Sequence, residues 1–190
     1  RDRSPSRGLG DVYKRQPDED LLIRLINDNP SVKFIVAPHE MDESRMARLA
    51  AEIKGGTLRY TQCTPHTSYG PKQLLILDTV GILSSVYSYA TWSYIGGGFG
   101  VGIHNTLEAA TFGLPVAFGP NYQKFKEARD LVTLGAARSI NDYDELRAWF
   151  VPLRDNEEFL QKTSRIAKDY TTAHQGATNI VLHTVFGKPE

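Results

Sequence analysis

Between Tyr94 and Pro120 the sequence reads YIGGGFGVGIHNTLEAATFGLPVAFGP, and few folds can use such a run. Tyr94 and Ile95 close a strand-like stretch. Glycines at 96, 97, 98, 100 and 102 follow, then a helical pattern over 106–112, a stop at Gly113 and Pro115, and a second strand over 116–118. Five glycines in seven positions exceed what one tight turn requires, and they let a ligand approach bare main chain. A helix starting immediately afterwards aims unpaired N–H groups at the same place, so the run is expected to receive an anionic group such as phosphate.

The flanking sequence repeats the strand and helix alternation. Pro17, Asp18, Glu19 and Asp20 open a helix that carries Leu21, Leu22, Leu25 and Ile26 and stops at Asn29 and Pro30. VKFIVA (32–37) reads as a buried strand, 42–53 as a helix ended by Gly55 and Gly56, and 58–62 and 74–77 as strands. Further on, 83–89, 122–134, 143–150, 156–173 and 178–186 read as helices, and 92–95 and 137–140 as strands. This order predicts a doubly wound, Rossmann-like α/β domain, its parallel sheet covered on both faces. Ligands in such sheets bind beyond the carboxyl ends of the strands, where the loops after residues 37, 77, 95 and 118 converge. The regular pattern opens on a helix, where a parallel sheet leads one to expect a strand immediately upstream. Residues 1–16, RDRSPSRGLGDVYKRQ, hold five basic residues and no apolar period, and read as a disordered, non-native leader.

Composition narrows the function classes. The 22 basic residues balance 22 acidic ones, so no broad field draws the chain to nucleic acid, and phosphate recognition is expected to be local. The single cysteine, Cys63, fits a reducing compartment. No run approaches the roughly 20 apolar residues that span a bilayer. The glycine loop lacks G-x-G-x-x-G, and no G-x-x-x-x-G-K-[ST] occurs, which disfavours a dinucleotide site and a P-loop. No two histidines have the spacing of a zinc site.

Each candidate residue also has an ordinary structural role. Asn105 and Glu108 stand in the N-x-x-E relation of a capping box, yet a carboxylate there is equally placed to accept hydrogen bonds from ribose hydroxyls. His39, after a strand end, is a candidate for an anion or base contact. His104 can donate to a phosphate or simply pack before the helix. Asp78, Thr79 and Gly81 precede a second helix start that could cradle phosphate. Asp142 and Asp144 form D-x-D, a metal-binding pattern in some sugar transferases, but with Glu145 they read better as a capped helix start, and Asp155 with Glu158 reads the same way.

Three ordered blocks, FIVAPHE, DTVGILSSVY and GGGFGVGIHNTLEAATFGLPVAFGPNYQKFKEA, together resemble the carboxyl-terminal half of the 3-deoxy-D-manno-octulosonic acid (Kdo) transferases. The resemblance covers most of the chain from Pro17 onward. It implies the GT-B architecture, in which the carboxyl-terminal Rossmann-like domain holds the donor, so residues 17–190 are expected to be a CMP-Kdo-binding domain. It places Gly81, Ile82 and Leu83 in a loop whose backbone faces the nucleotide, Gly97 and Gly98 beside the donor, and Asn105 and Glu108 in an H-N-x-x-E motif with the carboxylate on the ribose. His39 and Glu40 depart from the commoner A-P-R-H form, so either His39 replaces the arginine or another cationic group does. The implied reaction is inverting transfer of Kdo to a lipid A precursor in Gram-negative lipopolysaccharide synthesis, at the cytoplasmic face of the inner membrane, without metal or cofactor. The acceptor site, the membrane anchor, the general base and the first strand of this domain are expected upstream, leaving this chain inactive alone. The alternatives are another GT-B enzyme using a UDP-sugar, or a stand-alone nucleotide-binding module.

Overall fold

The computed structural model describes residues 17–39 and 41–174. In chain order the elements are α1 (Pro17–Asp28), β1 (Phe34–Val36), α2 (Glu43–Glu52), β2 (Thr57–Arg59), β3 (Leu74–Ile76), α3 (Leu83–Val86), β4 (Ser93–Ile95), α4 (Leu107–Thr111), β5 (Val116–Phe118), α5 (Lys126–Leu134), β6 (Ala137–Ser139), α6 (Tyr143–Asp155) and α7 (Glu157–Ala173). The leader (1–16), Glu40 and the expected helix over 178–186 lie outside the described residues.

All strand pairs are parallel, as the alternation predicts, but the strands form two three-stranded sheets rather than one. Their orders are β1-β3-β2 and β4-β5-β6. The facing edges are β1 and β4. Phe34 N–H donates to the Gln73 carbonyl and Leu77 N–H to the Val36 carbonyl, so residues 34 and 36 bond to β3, and the alternation of a parallel ladder turns the main-chain groups of Ile35 the other way. Likewise Ser93 N–H donates to the Pro115 carbonyl, which turns the groups of Tyr94 away from β5. Among the described residues no ladder joins these two inner edges.

The two sheets share one helical layer. α1 lies over both: Ile23 and Ile26 pack with Met46, Leu49, Ile53, Leu74 and Ile76 on the first sheet, while Leu21 and Leu25 pack with Ala117, Ile140, Leu146 and Phe150 on the second. The Phe150 ring, fully buried, lies 6.3 Å from that of Phe34 and 5.1 Å from that of Trp92, so one side chain of α6 touches residues beside both inner edges. The acidic start of α1 is used up in cross-links. Tyr94 Oη donates to Asp18 at 2.6 Å, Arg45 pairs with Glu19, and Arg48 pairs with Asp20.

On the opposite side the second sheet is covered by α4, α5 and α7 through Ala109, Ala110, Ala128, Leu131, Ala167 and Tyr170, and β5 is buried throughout. Among the described residues the first sheet has no such cover. Ile35 is 43% exposed, which corrects the expectation of a sheet buried on both faces. The link from β2 to β3 carries one 3₁₀ turn in place of a crossover helix, and α3 is a single turn, so neither shields that face.

Candidate functional site

The loops after β1, β3, β4 and β5 meet at the carboxyl edge of the strands, and the glycine run is their centre. Its path is fixed by main-chain bonds. Gly100 N–H and Gly102 N–H both donate to the Gly97 carbonyl, at 2.9 and 3.3 Å, and His104 N–H returns to the Gly96 carbonyl at 3.2 Å. The coil closes on itself at Gly97, whose φ of 89° is open to glycine, and a Cβ there would strike the Gly102 carbonyl oxygen at 2.5 Å. Gly98 is buried and pressed against the loop after β5: a Cβ on it would lie 2.5 Å from the Gly119 nitrogen. Asn121 clamps the same junction, its N–H donating to the Gly98 carbonyl at 2.9 Å and its Nδ2 to the Gly100 carbonyl at 2.7 Å.

At the exit of the loop the two roles open for Asn105 and Glu108 separate. Asn105 Oδ1 accepts from Leu107 N–H at 3.0 Å and Nδ2 donates to Glu108 Oε1 at 3.0 Å, so Glu108 binds the Asn105 side chain and not its amide. No capping box forms, and the exposed carboxylate keeps its second oxygen for a ligand. Thr106 beside it is 1% exposed, its hydroxyl without a hydrogen-bond partner among the described residues.

The histidines meet. His39, after β1, stacks on His104 with ring centroids 4.4 Å apart and planes 27° from parallel, so the two sheets touch at this edge through imidazoles. Glu40, considered with His39 in the sequence, lies outside the described residues.

Gly81, Ile82 and Leu83 lead into α3, four residues long, and α4 has only five, so the helix dipoles expected to hold an anion are short. Gly81 has φ 87° and nothing within 4 Å of a Cβ, leaving its main chain open to approach. Tyr87, just past α3, packs on Phe112 at 6.0 Å; burial, and secondarily the Glu108 charge, raise its hydroxyl pKa above the ordinary range. The Gly81–Leu83 segment and Glu108 therefore flank one surface. The Asp78 side chain faces the chain after β2. Its carboxylate accepts from Thr61 N–H at 2.9 Å and Oγ1 at 2.6 Å; burial pushes its pKa up, but these bonds outweigh it and hold the group below its usual value.

Asp142 caps α6 by accepting from Glu145 N–H at 2.9 Å, the ordinary reading of the D-x-D. At the next helix the cap is Asn156, accepting from Phe159 N–H, while Asp155 pairs with Arg154. Among the described residues no three potential metal ligands converge, and no helix is long and apolar enough to cross a membrane. Sequence reasoning placed the loop after residue 118 on this edge but gave Asn121 and Gly119 no role of their own. The signal was present in G-P-N directly after a strand, where asparagine favours side-chain bonds to nearby backbone.

No family model matches the sequence. The chain is 32% identical over 149 residues to the 3-deoxy-D-manno-octulosonic acid transferase of Bordetella pertussis, a match spanning 76% of this chain and 34% of that protein. It is 28% identical over 132 residues to the transferase of the same description from Chlamydophila psittaci, spanning 67% and 30%. This chain is a relative of the Kdo transferases. It spans about a third of the length of the curated relatives it matches. Its fold is that of the C-terminal CMP-Kdo binding domain of WaaA from Acinetobacter baumannii, with TM-score 0.67, 19% identity and coverage of 81% of this chain and 80% of that one. The α/β architecture expected from the alternating pattern is thus the one that carboxyl-terminal domain adopts.

Proposed function

We propose that this chain is the donor-binding half of a Kdo transferase and holds CMP-Kdo at the carboxyl edge of its strands. The observation that carries the reading is Glu108: exposed, oriented by Asn105 at the exit of the glycine loop, and not consumed in capping its helix. A carboxylate so held can accept hydrogen bonds from both ribose hydroxyls, while the open main chain at Gly81 and the neighbouring Ile82 and Leu83 receive the base. The relatives named Kdo transferase supply the substrate class.

In the complete enzyme the reaction is an inverting transfer to a lipid A precursor at the cytoplasmic face of the inner membrane. A general base from the amino-terminal domain takes the proton of an acceptor hydroxyl, whose oxygen forms a bond to the anomeric carbon of Kdo as the bond to the CMP phosphate breaks. CMP leaves with the electron pair, and hydrogen-bond donors around the glycine loop stabilise its charge without a metal. The described residues supply the donor side of that encounter.

Calorimetric titration of CMP into the chain and its Glu108→Gln variant tests the reading. Loss of two charged hydrogen bonds predicts a fall in affinity of about tenfold or more, with the melting temperature unchanged. Equal affinities would remove Glu108 from the site. UDP binding in preference to CMP would replace the Kdo reading with a UDP-sugar enzyme.

A further inference from the structure

The chain that leaves β2 has no part yet in the site, although it carries a compact set of bonds. Arg59, the last residue of β2, forks onto Glu43 at the start of α2, with Nη1 2.8 Å from Oε2 and Nη2 2.6 Å from Oε1. A guanidinium and a carboxylate paired in this way fix direction as well as distance. One 3₁₀ turn follows over Tyr60–Gln62, closed by Cys63, whose N–H donates to the Tyr60 carbonyl at 3.0 Å and whose thiol donates to the Arg59 carbonyl at 3.2 Å. Thr61, in the middle of that turn, gives both of its donors to Asp78: the N–H to Oδ1 at 2.9 Å and the hydroxyl to Oδ2 at 2.6 Å.

Asp78 stands where β3 has ended and the run toward α3 begins. Leu77 N–H still donates across the sheet to the Val36 carbonyl, and beyond it the chain leaves the sheet. Val80 is 80% exposed, Gly81 has φ 87° with nothing within 4 Å of a Cβ, and the Ile82 carbonyl accepts from Val86 in its own helix. Among the described residues the Asp78 carboxylate is the one hydrogen-bonded tie between 78–83 and a distant part of the chain. Both of its oxygens are engaged, so the side chain cannot turn, and the loose main chain through Gly81 takes its placement from this fixed start.

We propose that Thr61 and Asp78 are positioning residues: their two bonds form a bracket that places the Gly81–Leu83 main chain and so sets the discrimination between cytosine and uracil. The proposal rests on the reading that this main chain receives the base of the donor nucleotide. The two bases share a ring and differ along one edge, where cytosine donates from its amino group and accepts at N3, while uracil accepts at O4 and donates from N3. Main-chain N–H and carbonyl groups tell these patterns apart only while they are held to within about 0.5 Å. The Arg59 and Glu43 pair anchors the other end of the bracket to α2. Base preference is then carried by side chains that act through the loop and not on the nucleotide itself.

The test is calorimetric titration of CMP and UMP into the wild-type chain and into Thr61→Val, Thr61→Ser, Asp78→Ala and Glu108→Gln. Wild type binds CMP the more tightly. Thr61→Val loses the hydroxyl bond and Asp78→Ala loses both, and each brings the two affinities together by about fivefold or more, chiefly by weakening CMP. Thr61→Ser keeps the hydroxyl and with it the wild-type ratio. Glu108→Gln weakens both nucleotides alike, because the ribose is common to them. Equal weakening of CMP and UMP by Thr61→Val overturns the proposal, since a bond that only supports the fold has that effect. A wild-type ratio in both Thr61→Val and Asp78→Ala overturns it too, as does a wild type that binds the two nucleotides equally. A wild-type preference for UMP removes the Kdo reading and leaves the bracket to stand or fall by the same collapse of the ratio. If wild type binds neither nucleotide, the donor reading fails by itself. The hold on the loop is then read from the amide chemical shifts of Gly81, Ile82 and Leu83: movement in Thr61→Val and not in Thr61→Ser upholds it, and unmoved amides overturn it.

Discussion

At Gly98 the tolerance of the loop is set by main chain alone. The atoms a methyl group would meet belong to the Gly119 backbone, 2.5 to 2.9 Å away, and backbone cannot swing aside as a side chain does. Gly98→Ala is therefore expected to cost about 1–3 kcal/mol by overpacking, read as a lower urea midpoint, and to loosen the Asn121 clamp with it. The sequence showed that this run was crowded with glycine but not what each glycine was for. That depends on which of them face the β5 loop, and no local pattern encodes the contact. Glu108 teaches the same lesson. The N-x-x-E spacing makes a capping box only if the helix begins right after Asn105; it begins at Leu107, so Glu108 stands too early in the first turn to reach back to the Asn105 amide.

At the scale of elements, tyrosine and aspartate pairs pin α1 in place. Tyr143 Oη, at the start of α6, donates to Asp28 at the end of α1 at 2.5 Å, with the Arg24 guanidinium 3.8 Å over the ring. Burial, and then the bond to Asp28, push the Tyr143 hydroxyl up to about 12; Tyr94, more deeply buried and bonded to Asp18, is raised further. A pKa raised in the folded state stabilises while the unfolded phenol is still protonated, below about pH 10, and the contribution is lost as pH rises through the folded value. Stability is thus expected to fall between about pH 10 and the folded value of about 12. In Tyr143→Phe that slope is shallower, which urea titrations at stepped pH would measure; an unchanged slope would exclude the tie. Most elements were legible from period and caps, and β5 matches the expected 116–118. Of the boundaries that moved, two did so because tertiary contacts overrode local signals. α6 continues past Phe150 through Pro152 to Asp155, since Leu153 is buried one turn beyond Phe150. α5 starts at Lys126 because Tyr122 and Phe125 are drawn into packing on Phe118 and beneath Gly102.

Across the whole molecule, the two sheets are joined by what lies over their junction and by the stack of His39 on His104. Phe150 is a side chain shared by both, and removing its ring leaves a void that neither Phe34 nor Trp92 can fill alone. Phe150→Ala is expected to cost about 3–5 kcal/mol of unfolding free energy in a urea titration monitored by circular dichroism. A loss under about 1 kcal/mol would mean that α1 holds the halves together unaided. The alternation of strands and helices announced a parallel α/β domain. It gave no sign that hydrogen bonding would stop between β1 and β4, because pairing across a junction is a property of partners, not of either strand. That interruption governs how the polypeptide behaves in company. Among the described residues the amides and carbonyls of Ile35 and Tyr94 have no ladder partner, and unpaired edges recruit strands. Because the two edges face each other, a strand from another molecule could enter only where the halves part, so self-association is expected to grow in mild denaturant rather than with concentration alone.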